Sequence, residues 1–66
     1  MREIKKDLEA YNWEVELQKI GSTEVITIPF IRDAGQECRY IRKIVGSRAQ
    51  VKAVTVGSLN FILIAK

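Results

Sequence analysis

No histidine occurs in this chain of 66 residues, and cysteine, proline, methionine and tryptophan occur once each. The commonest zinc ligand and the commonest general base at neutral pH are therefore both missing. A single cysteine, Cys38, excludes a disulfide within the chain. It falls in an apolar helical stripe, where a thiol packs as a small hydrophobe. Ser22 and Ser58 have no histidine to activate them, so no catalytic residue is expected from the Ser-His class. The four glycines form neither GxGxxG nor the phosphate loop GxxxxGK followed by Ser or Thr. No metal site and no cofactor is expected. The longest strongly apolar run, FILIA, is far short of the roughly 18 residues of a membrane helix. The opening MREIKKDLEA is charged and has no apolar centre like that of a secretory signal. A cytoplasmic, reducing, intracellular setting without membrane attachment is the expectation.

Acidic residues are also missing, but only from one end. None follows Glu37. Residues 1–30 carry four Lys/Arg against six Asp/Glu, and residues 31–66 carry seven against two. Such an asymmetry points to a polyanionic partner. Ordinary solubility charge on a small basic protein accounts for it equally well.

What is present is periodicity. Met1, Ile4, Leu8 and Tyr11 recur at helical spacing, with Arg2, Lys5, Lys6 and Glu9 opposite them. NWEVELQKI then alternates apolar and polar residues, as a half-buried strand does. Gly21-Ser22 suits a two-residue type II′ turn, and TEVITIPF returns, with Pro29 near its end as an edge signal. That turn would set Lys19 opposite Glu24, Leu17 opposite Ile26, Val15 opposite Ile28 and Trp13 opposite Phe30. The other face is polar apart from Ile20 and Val25. Asp33 and Gln36 read as a capping box for a second helix. Its stripe is Ala34, Cys38, Ile41 and Val45, flanked by Tyr40 and Ile44, and Gly46 reads as its stop. AQVKAVTV and LNFILIAK follow as strands joined by Gly57-Ser58.

The chain thus reads as one small domain, residues 1–66, with repeat-like halves 1–31 and 32–66. MREIKKDL aligns with CRYIRKIV, and KIGSTEVITIPF with TVGSLNFILIAK. The predicted class is α+β: an αββαββ pseudo-repeat with a four-stranded antiparallel sheet and both helices on one face. The halves differ in one respect. The second hairpin sets Val51 opposite Ile64 and Ala53 opposite Ile62, and its other face carries Val54, Val56, Leu59, Phe61 and Leu63. A strand apolar on both faces must be covered on both. Two helices cover one side of such a sheet, so a homo-oligomer, most simply a dimer, is expected there, with a heterologous protein as the alternative partner.

Residues 4–22, IKKDLEAYNWEVELQKIGS, resemble the opening of the HicA-type mRNA-cleaving toxins. In that family a helix rich in Leu and Lys precedes Gly-Trp or Gly-Phe and a strand ending in Lys-Gly-Ser-His. The likeness covers about a third of the chain. Thr23 stands where the family carries its histidine, and that family ends on a helix where this chain reads as ending on a hairpin. No RNA-cleaving activity is carried over.

Glu14 and Glu16 could project together from one strand face, although a solvated face accounts for them. The basic residues are the stronger lead. Arg2, Lys5 and Lys6 recur as Arg39, Arg42 and Lys43, and Arg48 and Lys52 extend the second set. Cations at that spacing share a helical face and can follow a phosphate backbone without reading sequence. With Tyr40 the one aromatic near them, duplex backbone contact is expected ahead of base stacking. The functional expectation is a small non-enzymatic nucleic-acid-binding or regulatory protein. The alternative is a protein-binding module or inhibitor acting through the apolar face of the second hairpin.

Overall fold

The computed structural model describes residues 1–30 and 34–66. Among them the elements run α1 (Arg2–Ala10), β1 (Glu16–Ile20), β2 (Thr23–Phe30), α2 (Gly35–Val45), a 3₁₀ turn (Gly46–Arg48), β3 (Gln50–Val56) and β4 (Leu59–Ala65). The class is α+β and the order αββαββ, as the periodicity predicts. The strands form one antiparallel sheet in the order β1-β2-β4-β3. No helix among the described residues is long and apolar enough to cross a membrane.

The core lies between the helices and one sheet face. Ile4 and Leu8 of α1 and Cys38, Ile41 and Val45 of α2 meet Ile26, Ile28, Val51, Ile62 and Ile64, with Ala34 beside them. Each fully buried Leu or Ile contributes about 1.5–3 kcal/mol, so this layer supplies most of what a chain this short can gather.

Tyr11 departs from the predicted stripe, being 66% exposed. The helix stops at Ala10, and Tyr11 is its C-cap. Asn12 follows in the left-handed region at φ 67°. Its N–H donates to the Glu9 carbonyl at 2.9 Å, and the Trp13 N–H donates to that of Leu8 at 3.2 Å. These are the two bonds of a Schellman motif, with asparagine in the place glycine usually takes. The reversal returns Trp13 to the core, where its ring meets Phe30 edge-on at 5.9 Å.

The first hairpin has the predicted register from Glu16–Thr27 to Ile20–Thr23. Gly21 and Gly57 have φ 62°, and neither following serine is at positive φ, which is the type II′ pattern. The strand does not reach Trp13, so Val15–Ile28 and Trp13–Phe30 are not ladder pairs. Pro29 explains where it stops. In a hairpin closed by two residues, the closing pair and every second pair beyond it exchange both backbone bonds. After Glu16–Thr27 the next such pair would be Glu14–Pro29, and proline has no N–H to give. Pro29 itself lies within a central strand, opposite Phe61 of β4, and not at a sheet edge.

α2 starts after Ala34 with no side-chain cap bond there. The capping box read from Asp33 and Gln36 lies outside the described residues through Asp33, as does the junction between the two halves at 31–32. Gly46 ends the helix at φ 64°, ψ −138°.

The sheet register has a symmetry of its own. Moving each residue of the first hairpin on by 36 carries Ile26–Ile64 onto Ile62–Ile28, and both are observed pairs. A two-fold relation between the halves therefore runs through the Thr27–Leu63 pair, normal to the sheet. Ala53 does pair with Ile62 as predicted, yet it is exposed, because the helices cover only the Val51 end of this edge strand.

Candidate interaction surfaces

On the helix layer, the basic residues separate into different roles. Arg42 donates from Nε (3.2 Å) and Nη2 (3.1 Å) to the carbonyl oxygen of Val51. Counting from the Val56–Leu59 closing pair, Val51 turns its backbone groups away from β4, toward the open edge. Arg42 thus ties α2 to an edge strand and satisfies one of its exposed acceptors. Arg48 donates to the carbonyls of Val45 (2.9 Å) and Ile44 (2.8 Å) at the end of α2, and reaches Asp7 of α1 at 2.8 Å. A cation on the last carbonyls suits the helix dipole. Both arginines join elements together, a use that spacing along the sequence does not reveal.

Arg42→Ala should lower stability by about 1 kcal/mol, seen as a fall of roughly 4–8 °C in Tm for a domain this size. Arg42→Lys should recover little of it, since a point-like ammonium cannot span the carbonyl with two N–H groups. Equal melting of all three proteins would show the bond to be idle.

Arg39 and Lys43 remain exposed one turn apart on α2, and Arg2 and Lys6 are exposed on α1. Lys5 is half-buried. Lys52 belongs to the other side of the molecule, since it alternates with the buried Val51 and pairs with Leu63 on the face away from the helices. The eight cations read from the sequence are therefore not one surface.

The structure adds aromatics beside the remaining pair. Tyr11, Trp13, Tyr40, Lys43 and Ile44 line a hollow of about 420 Å³ between the end of α1 and α2. Lys43 Nζ lies 6.0 Å from the Tyr40 ring centre. The expectation that Tyr40 stands alone is corrected here: the Schellman reversal at Asn12 brings Tyr11 and Trp13 to the same place.

The sheet face away from the helices is the larger feature. Val54, Phe61 and Leu63 are half-buried there, while Val56 and Leu59 are 58% and 66% exposed. The cross-strand rows extend this patch beyond the second hairpin. Val25 pairs with Ala65 and Pro29 with Phe61, so β2 contributes apolar groups to the same face. A shallow groove of about 510 Å³ crosses it from Ile20 and Val25 to Phe61 and Leu63. Ile20 and Val25, the two exceptions on an otherwise polar face, were the signal in the sequence. Pro29 and Ala65 were not legible, because only the β2–β4 pairing places them.

Cys38 is buried in the core, and Glu14 lies outside β1 while Glu16 lies within it. Among the described residues no three His, Cys, Asp or Glu side chains gather where they could hold a metal ion. Comparison with protein-family models, with curated proteins and with solved structures finds no match to this chain.

Proposed function

We propose that this chain is a non-enzymatic assembly module that works by docking the uncovered face of its sheet on a protein surface. One observation carries the reading. Val54, Phe61 and Leu63, half-buried, and Val56 and Leu59, exposed, form an apolar strip that borders the buried Val25, on a face that no element of the described chain covers. A two-layer domain normally leaves a polar outer face on its sheet. A contiguous apolar strip rimmed by polar residues on such a face is characteristic of docking sites.

A second reading rests on the hollow beside Lys43. Tyr11 and Tyr40 offer exposed rings for stacking bases, with Lys43 and Arg39 placed for phosphates, which suits single-stranded nucleic acid better than a duplex. One experiment separates the two. A photo-crosslinking amino acid is placed at position 61 in one protein and at position 39 in another, and both are irradiated in living cells. Covalent adducts to polypeptide from position 61, with none to nucleic acid from position 39, are expected. Nucleic-acid adducts from position 39 with no protein adduct from position 61 would reverse the reading.

A further inference from the structure

We infer that the occupant of the sheet face is a second copy of this chain, packed face to face about a two-fold axis parallel to the strands, with Glu16 opposite the partner's Lys52. The inference rests on the docking reading above and names its partner. Size is the first argument. The chain exposes 4909 Å², whereas a compact monomer of 7.5 kDa exposes about 4,250 Å². The chain thus exposes about 650 Å² more than such a monomer, and Val56 and Leu59, 58% and 66% exposed, put apolar surface on this face.

Charge chooses the partner and the axis. The central row across the uncovered face runs Glu16, Thr27, Leu63, Lys52, one residue from each strand in spatial order. Its ends carry opposite charges, and of its two middle residues Leu63 belongs to the apolar strip while Thr27 is polar. An axis parallel to the strands reverses the row, placing each Glu16 over the partner's Lys52 at both ends. An in-plane axis across the strands leaves the row unreversed, so like charges would meet at both ends. The neighbouring row, Gln18, Val25, Ala65, Gln50, carries amides at both ends and accepts the same axis without conflict.

Sheets stacked about 10 Å apart and inclined by about 30° are the ordinary geometry for such a pair. Pairing through the sheet edges is the competing arrangement. β1 offers only five residues, and on β3 Arg42 already occupies the Val51 carbonyl, so both edges are blunted.

The test uses sedimentation equilibrium of the full chain at tens of micromolar, with the wild type, Glu16→Lys, Lys52→Glu and the double exchange. Both side chains are exposed, and circular dichroism checks that each variant is folded. The wild type should have twice the chain mass. Each single reversal should weaken the dimer roughly tenfold or more, and the double exchange should restore it. A soluble paramagnetic agent, read on the methyl signals of Val54 and Leu63, reports whether the face is covered. A wild-type monomer with accessible methyls overturns the second copy while the docking reading stands. A doubled mass with accessible methyls overturns both, because the interface then lies elsewhere. A covered face with single reversals that change nothing overturns the strand-parallel axis.

Discussion

Ile64→Ala is expected to leave the chain largely unfolded at 37 °C. Ile64 is fully buried and pairs in register with both Ile26 and Val51, so it stands where the central seam of the sheet meets the helix layer. Truncating a buried isoleucine to alanine costs about 2–5 kcal/mol, transfer and cavity together. A core of this size rarely holds more than about 3–5 kcal/mol in total. Loss and reserve are therefore comparable, and the folded population should collapse. Lys6→Ala provides the control, since that side chain is exposed on α1, away from the sheet face, and its truncation should stay within about 0.5 kcal/mol. Urea titration by circular dichroism reads both. A cooperative transition for Ile64→Ala close to that of the wild type would show that the stability comes from somewhere other than this layer.

The second large effect is one of backbone hand. Gly46 sits at φ 64°, ψ −138°, a region essentially reserved for glycine, where another L-residue costs about 1–3 kcal/mol. Nothing lies within 4 Å of the place a Cβ would occupy, so the cost is conformational and not a clash. The mirror image of this conformation is ordinary extended backbone, so a D-residue fits it without strain. Gly46→Ala should therefore destabilise by about 2 kcal/mol. D-alanine at the same position should match glycine or gain up to about 1 kcal/mol by narrowing the unfolded ensemble. A chain of this length is accessible to chemical synthesis, and thermal melting of the three versions decides the matter. Equal loss from both alanines would mean that bulk, not hand, is resisted there.

The elements most legible in the sequence were those where local chemistry and hydrophobic period agree. Gly21-Ser22 and Gly57-Ser58 set both hairpin registers, and Ala34, Cys38, Ile41 and Val45 marked the inward stripe of α2. Two kinds of information were not local. The first was backbone accounting: the stop of β1 follows from Pro29 lacking an N–H thirteen residues after Glu16. Asparagine, too, can close a helix without advertising it as glycine does. The second was the destination of long side chains. Arg42 and Arg39 look alike in the sequence and both are exposed, yet Arg42 donates to a carbonyl of β3. Lys52 likewise belonged with the α2 cations by charge and with the opposite face by strand parity.

The symmetric seam between β2 and β4 has a kinetic consequence. Each hairpin closes through two residues, but the seam joins Phe30 to Asn60 and Val25 to Ala65, far apart in the chain. Hairpins of this kind form quickly, and the long-range pairing comes late. Until it forms, β2 and β4 each present an open apolar edge of nearly the same pattern. The edge that completes one molecule's sheet therefore fits the corresponding edge of a neighbour almost as well. Refolding is then a race between closure within a chain and exchange between chains, and concentration sets its outcome.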